Sequence, residues 1–143
     1  MATFNKFDIF TQDLAHKQHN FSADVIKIAL SNTLPVAGAT VMDFVTAHVP
    51  PTAANGYTTG GNTCTLTSSV QTAGVYKLIL VDSVFTATAG GIGPFRYAIL
   101  YNSSTTAANK VIGWYDYGSS ITLAVGETLT VDFDGTNGVL TLT

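Results

Sequence analysis

The hydrophobic positions of the first twenty residues recur at a spacing typical of a helix. Four large apolar residues stand three or four positions apart, which would place them on one face of a helix. They are Phe4, Phe7, Phe10 and Leu14. The charged and amide side chains between them fall mostly on other faces. The pattern therefore predicts a short N-terminal helix within residues 1–20.

From residue 24 onward the hydrophobic period changes to two, as in a β-strand. Ile26, Ile28 and Leu30 share a face, and Lys27 points the other way. Similar runs, separated by glycine- and asparagine-rich turns, predict seven further strands. They span residues 63–69, 75–87, 94–102, 110–117, 120–125, 127–133 and 138–142. The intervening stretch 40–49 fits either a helical turn or two or a strand, and the pattern does not decide.

A series of short strands with no second helical pattern between them indicates a mainly β fold. We expect an antiparallel β-sandwich or jelly-roll-like domain with a short N-terminal α-helix. Residues 1–143 form a single domain in this interpretation, with the helix in 1–20 and the sandwich in 21–143.

Charge is scarce along the whole chain. Charged residues make up 10% of it, where about 25% is typical of globular proteins, and the net charge is -3. Six basic residues scattered over the chain cannot line a phosphate track, so we expect no nucleic-acid binding. So neutral a surface is either a hydrated threonine and serine surface or one covered by neighbours in an assembly.

The chain carries no pattern of a secreted or membrane protein. Its N-terminus lacks a basic region followed by an apolar one, and no apolar run is long enough to span a bilayer. Cys64 is the only cysteine and, in a strand-like run, is typical of a small buried apolar group. We expect a protein made in the cytoplasm, with no membrane partner.

No motif in the sequence specifies catalysis or a cofactor. His16 and His19 form an H-x-x-H pair that lacks further ligands, and we favour a polar helix end over a metal site. The stretch 131–139 resembles a calcium loop, but its sixth position is Asn137 rather than glycine, so a hairpin turn is favoured. We therefore expect a protein that is not an enzyme, with no cofactor and no metal. A small glycosidase or other hydrolase, with a carboxylate pair that the sequence does not reveal, is an alternative.

Aromatic residues gather around a carboxylate in residues 112–120, "IGWYDYGSS". Trp114, Tyr115 and Tyr117 flank Asp116. This composition is typical of a core strand or a subunit interface, where the rings are buried and the polar tips are hydrogen-bonded. It also occurs on sugar-binding faces, so a carbohydrate-binding module is the competing interpretation.

Over nearly its full length the chain resembles small virion structural proteins of tailed bacteriophages. The opening "MATFNKFDIFTQDLAHKQHN" and the following "DVIKIALSNTLPVAGATV" take part in the resemblance, and "GPFRYAILYN", "GWYDYGSS" and "FDGTNGVLTL" are its most specific parts. The resemblance implies a capsid cement or decoration protein that bridges major capsid proteins on the outer surface of the phage head. It also implies a homo-oligomer, dimer or trimer, and provides no catalytic residue. Some similar proteins belong to tails or fibres, which is the alternative.

Three groups of residues are candidates for the contact with a partner: the long connection 50–62, the apolar face of the helix, and the aromatic residues Trp114 and Tyr117. The long connection 50–62 is predicted to be a contact arm. Within it "NGYTTGG" (55–61) is predicted to be a conformable loop, so that its deletion would leave folding intact and abolish binding to capsids. The apolar helix face either closes one end of the sandwich or docks on a partner. The candidate interface residues are Asn55, Gly56, Tyr57, Thr58, Thr59, Phe4, Phe7, Phe10, Trp114 and Tyr117.

Overall fold

Ten β-strands and one short helix make up the fold of the computed structural model, which describes residues 3–104 and 109–143. In chain order the elements are β1 (Phe4–Lys6), α1 (Ile9–Ala15), β2 (Ile26–Ser31), β3 (Asn62–Thr63), β4 (Leu66–Thr72), β5 (Val75–Leu80), β6 (Ser83–Thr86), β7 (Ile92–Asn102), β8 (Lys110–Leu123), β9 (Thr128–Val131) and β10 (Leu140–Leu142). All strand pairs are antiparallel. The prediction of a mainly β, antiparallel fold with one short N-terminal helix is confirmed, whereas the sandwich or jelly roll stays a prediction.

The strands form three sheets. The largest has the order β1-β8-β7-β2-β3, and the other two are β10-β5-β4 and β6-β9. The long strands β7 and β8 form the centre of the large sheet, with Ala98 opposite Tyr115 and Ile99 opposite Trp114. Consecutive residues of β7 from Tyr97 to Asn102 are buried, so both faces of this sheet are covered.

Side chains pack on both faces of the large sheet because strand residues alternate between them. One face, which carries Ile28 and Leu100, meets residues of the two smaller sheets, such as Leu78 and Phe85, in the main core. The other face belongs to a second, smaller cluster. The buried members of that cluster are Phe7, Ala29, Met42, Tyr97, Ile99, Tyr101 and Val111.

Residues 32–50, the covering segment, help to enclose the second cluster. Met42 is buried there, and Phe44 meets Tyr101 edge to face at 5.8 Å. The Met42 amide donates to the Asn109 carbonyl at 2.8 Å, and Val41 forms an isolated bridge with Lys110. The ambiguous stretch 40–49 is therefore neither helix nor strand: it is held mainly by turns and tertiary contacts.

The helix is shorter than the periodicity predicts. Phe4 lies in β1 opposite Tyr115, and α1 begins only at Ile9. A three-residue spacing of apolar side chains also results when a strand, a turn and a helix follow one another. In this arrangement Phe7 packs in the second cluster and Phe10 packs in the main core. The expectation that these phenylalanines share a helix face is wrong, because β1 gains hydrogen bonds along β8 that a helix could not make.

Three strand boundaries also differ from the prediction. The predicted strand 75–87 is two strands, and the Asp82 carboxylate accepts a hydrogen bond from the Phe133 amide at 2.9 Å where they separate. The predicted strand 63–69 is divided between β3 and β4. The predicted strands 110–117 and 120–125 are one strand, β8, because Gly118 (φ +96°) lets the chain continue through an irregular stretch.

Candidate partner-binding surface

The predicted contact arm, residues 50–62, is fixed to the core by Tyr57. This side chain is only 3% exposed, and its hydroxyl accepts from the Leu30 amide (3.1 Å) and donates to the Leu30 carbonyl (3.3 Å). β3 pairs with Lys27 and Ile28 of β2, so none of the described strands reaches Leu30 on that side. The tyrosine hydroxyl thus takes the place of the missing ladder partner.

Two glycines bring the backbone of the same connection against its neighbours. A Cβ on Gly61 (φ +70°) would lie 1.9 Å from the Ile28 carbonyl oxygen, and one on Gly56 (φ +97°) 2.1 Å from that of Thr86. The Tyr101 hydroxyl donates to the Gly60 carbonyl at 2.8 Å. The expectation of a conformable arm, removable without loss of folding, is therefore wrong: deletion would remove part of the core.

Only part of the predicted arm remains available to another chain. Gly56, Thr58 and Thr59 are exposed and Asn55 is half-buried, whereas Tyr57 is not accessible. A contact through the four accessible residues stays a prediction.

The N-terminal phenylalanines belong to the chain's own cores. Phe7 and Phe10 are 0% and 1% exposed, and Phe4 is half-buried with its ring 5.1 Å from that of Tyr115. Burial of Phe7 and Phe10 within the chain rules out their docking on a partner without unfolding. Of the two alternatives for these residues, packing within the chain is therefore favoured over docking on a partner. The three phenylalanines lie on a strand, a turn and the helix rather than on the helix alone.

The four clustered residues of β8 do not form one surface. Trp114 packs on Phe7 with ring centroids 4.6 Å apart, in the second cluster, whereas Tyr115 packs on the main core. Asp116 accepts from Arg96 Nε and Nη2 at 2.7 and 2.9 Å, and this ion pair lowers the pKa of the aspartate. Tyr117 is 58% exposed. Because neighbouring strand residues point to opposite faces, a sugar face built from all four is excluded.

A cavity of about 410 Å³ lies between β7, β8 and β9. Phe95 and Leu129 are among its apolar lining residues, Tyr115 and Tyr117 are also part of the lining, and Asp132 contributes a carboxylate. Burial raises the pKa of Tyr115 to about 12, with nearby Cys64 and Asp132 acting in the same direction. The sequence predicted the tyrosines and the strand over 127–133, but not that β9 lies beside them, since nothing in a single sequence pairs these strands.

The covering segment presents an apolar outer surface that sequence reasoning missed. Five of its large aliphatic residues are exposed: Leu34 (63%), Val36 (67%), Val41 (40%), Val45 (81%) and Val49 (40%). The signal was available, because residues 32–50 contain one formally charged residue, Asp43. The local pattern of residues 40–49 fits either a helix or a strand and does not indicate an exposed apolar segment.

Both ionisable side chains of the covering segment, Asp43 and His48, are engaged in local contacts. The Asp43 carboxylate accepts from the Thr46 hydroxyl and from the Val45 and Thr46 amides, which lowers its pKa to about 2. His48 is fully buried beside Phe7, and burial lowers its pKa. Its Nδ1 accepts from the Asp43 amide at 3.1 Å. The exposed side chains of the segment are thus aliphatic, small or neutral polar, and its one carboxylate is engaged in local hydrogen bonds.

The two histidines of the H-x-x-H pair lie in different environments. His16 is exposed, whereas His19 stacks on Phe21 at 5.4 Å with an interplanar angle of 8°. Burial lowers the pKa of His19. Among residues 3–104 and 109–143 no group of three histidine, cysteine, aspartate or glutamate side chains is arranged to hold a metal ion.

Two other residues singled out from the sequence have structural roles. Asp134 accepts from the Thr136 amide (2.8 Å) and the Asn137 amide (2.7 Å), as expected of a turn rather than a calcium loop. Cys64 is 8% exposed in the main core, and burial raises the pKa of its thiol to about 12. Its prediction as a small buried apolar group is confirmed.

Comparisons with known proteins identify no relative. No protein-family model matches the chain, and neither a curated protein nor a solved structure is significantly similar to it. Within the part of the chain that the structure describes, no helix has the length and apolar character needed to cross a membrane.

Proposed function

We propose that this chain is a structural virion protein of a tailed bacteriophage, a capsid cement or decoration protein that binds the major capsid protein on the outer surface of the head. The observation that carries the proposal is the set of exposed aliphatic side chains on the covering segment, whose one carboxylate, Asp43, is held by local hydrogen bonds. An apolar surface held in place on a buried sheet is suited to a contact with another protein rather than with water. The function involves no catalysis and no cofactor.

The covering segment is held firmly enough to act as a contact surface. Backbone hydrogen bonds join it to the N-terminal region (Asp8 amide to Ala37 carbonyl, 2.9 Å) and to the residue that precedes β8 (Met42 amide to Asn109 carbonyl, 2.8 Å). Because the backbone is already ordered, little conformational entropy is lost on binding.

Burial of a few exposed aliphatic side chains supplies enough free energy for binding by many copies. Full burial of one valine or leucine is worth about 1.5–3 kcal/mol, and part of the total is lost to the cost of association. A contact of modest affinity becomes durable when an oligomer engages several capsid subunits at once. Lack of charge lowers the cost of removing water from such a contact.

Co-sedimentation tests the proposal. Purified chain is added to expanded, undecorated heads of the phage that encodes it, and bound protein is measured in the pellet at increasing concentration. We expect saturable binding in a fixed ratio to the major capsid protein. A Leu34→Asp/Val45→Asp variant should bind at least tenfold more weakly with an unchanged urea midpoint.

The matched control is Val125→Asp, which alters a residue 64% exposed in the turn between β8 and β9. This variant should bind like the wild type. No saturable binding, or an equal loss in both variants, would refute the assignment of the contact to the covering segment. Absence of density for the protein in electron micrographs of intact particles would refute the function as well.

The cavity beside β9 supports a second candidate, a carbohydrate-binding tail or fibre module. Tyr115 and Tyr117 offer rings for stacking, and Asp132 and Arg96 offer hydrogen-bonding groups at the same cavity. Titration calorimetry with surface oligosaccharides of the host would then detect binding that Tyr117→Ala abolishes and Val45→Asp leaves intact. The proposed capsid function predicts no such binding.

A further inference from the structure

Strand β4 is an outer strand of its sheet without the usual protection against pairing. It follows β5 at the end of the order β10-β5-β4, so one of its edges has no neighbour among the described strands. Its sequence, LTSSVQT, contains no proline and no charged residue. Natural proteins normally guard such an edge with lysine, proline, a bulge or a cover. The one irregularity lies at the start of the strand, between Leu66 and Ser68.

The other sheet edges are shorter or occupied. Along the described chain, β1, β3 and β10 have two or three residues each and β6 and β9 have four. The side-chain amide of Asn62 donates to the Val84 carbonyl at 2.9 Å, which occupies part of the β6 edge. With seven residues, β4 is the longest strand that lies at an edge.

The hairpin to β5 determines which backbone groups of β4 point outward. Thr72 and Val75 flank a two-residue turn with positive φ at Ala73 (50°) and Gly74 (87°), as in a type I′ hairpin. The flanking pair is hydrogen-bonded, and bonded and non-bonded pairs alternate from there. Val70 therefore bonds inward to Lys77, and the amides and carbonyls of Ser69 and Gln71 face away from β5.

These outward groups fit a second copy of the same strand. With Val70 opposite its own copy on a two-fold axis, Ser69 of each chain pairs with Gln71 of the other and exchanges both backbone bonds. The two Val70 side chains, 56% exposed in the single chain, then meet in a non-hydrogen-bonded pair, where side chains lie closest.

The lack of charged residues on β4 favours its pairing with a second copy. Any charged residue near a two-fold axis would face its own like charge, and β4 has none. The nearest cation on the adjacent strand is Lys77, whose ammonium donates to the Thr136 carbonyl at 3.0 Å.

We propose that β4 is a homodimerisation edge: two copies pair antiparallel through β4, centred on Val70, and join their three-stranded sheets into one sheet of six strands. The interface is the same patch on both copies, as a two-fold axis requires. This inference does not depend on the function of the protein.

Sedimentation velocity of the purified chain tests the pairing. The wild type should shift from a species of 15.0 kDa to one of twice that mass between about 1 and 100 μM. Val70→Lys places two ammonium groups opposite each other, and Ser69→Pro removes an outward amide; each should raise the dimer dissociation constant at least tenfold. The urea midpoint of the dissociated Val70→Lys variant should match that of the monomeric wild type, because this change removes no hydrogen bond to β5. Ser69→Pro also removes the hydrogen bond between the Ser69 hydroxyl and Tyr76 of β5 (2.8 Å), so its midpoint is compared with that of Ser69→Ala.

Disulfide cross-linking tests the pairing register of the two β4 strands, and it can trap a dimer that associates only weakly. Paired strand residues without mutual hydrogen bonds have Cα atoms about 4.5 Å apart, within the range of a disulfide. Val70→Cys should therefore form a covalent dimer on mild oxidation, whereas Val84→Cys, at a site 49% exposed on β6, should not. The native Cys64 is buried.

Three results would overturn the proposal. They are a wild type that stays monomeric at 100 μM, a dimer that survives Val70→Lys, and equal cross-linking of the Val70→Cys and Val84→Cys variants.

Discussion

Replacing Tyr57 with phenylalanine removes one oxygen and leaves the aromatic ring in place. The ring still packs near Phe85, at 5.9 Å between centroids, so no large void forms. The hydroxyl, however, serves the amide and the carbonyl of Leu30, which is itself fully buried. Both groups lose their partner in a place where water cannot replace it.

The size of the effect follows from the two unsatisfied groups. A buried polar group left without a hydrogen bond costs about 1–3 kcal/mol. Phenylalanine no longer requires its own hydroxyl to be taken out of water, which recovers part of that cost. We therefore expect a loss of about 2–3 kcal/mol in the free energy of unfolding.

Urea denaturation followed by tryptophan fluorescence measures the loss. With a urea slope of about 2 kcal/mol/M, the midpoint should fall by about 1–1.5 M at an unchanged slope. Thermal unfolding should show a midpoint about 5–10 °C lower. The control is Tyr117→Phe, at a site 58% exposed, which should stay within about 0.5 kcal/mol of the wild type. A Tyr57→Phe midpoint equal to that of the control would refute the role of the hydroxyl as a ladder partner.

Two further predictions concern buried histidines and a tightly packed glycine. Burial lowers the pKa of His48 and His19, so the unfolded chain binds protons more readily, and stability should be full above about pH 6.5 and fall as pH decreases below it. Urea midpoints at pH 7.5, 6.5 and 5.5 check this, with His48→Asn expected to flatten the dependence and a pH-independent midpoint contradicting it. Gly61→Ala should destabilise by at least about 2 kcal/mol more than Gly74→Ala, because the first Cβ would meet the Ile28 carbonyl at 1.9 Å whereas the second, also at positive φ, meets nothing within 4 Å. Equal midpoints for the two alanine variants would contradict the close packing of Gly61.

The fold class was predictable because strand periodicity depends on local sequence. Alternation in β2, β7 and β9 follows directly from one face being more buried than the other. The extent of the N-terminal helix was not predictable in the same way, because Phe4 is held in β1 by pairing with Tyr115. Such long-range pairing overrides a local period and leaves no mark in a single sequence.

The candidate contact residues were predicted with less success, for a related reason. Loop composition alone suggested that residues 50–62 are free, yet Tyr57 reaches the unpaired edge of β2 at Leu30. A tyrosine inside a glycine- and threonine-rich loop was the available signal, since a large ring in such a loop needs a place to be buried. The exposed valines of the covering segment were not predictable from their local pattern. That pattern fits a strand or a helix, and only the structure shows that other residues already fill the cluster beneath them.

The few charged side chains of this protein mostly interact with other groups of the same chain. Most of them are engaged within the chain: Arg96 with Asp116, Lys110 with Asp13, and Lys77 with a backbone carbonyl. The few charges therefore serve largely to fix turns and strand ends, and little remains to attract or repel a partner. A surface of this kind relies on shape, apolar contact and backbone pairing for recognition. The covering segment offers apolar contact, and β4 offers backbone pairing. We therefore assign the proposed capsid contact and the proposed self-association to separate parts of the chain.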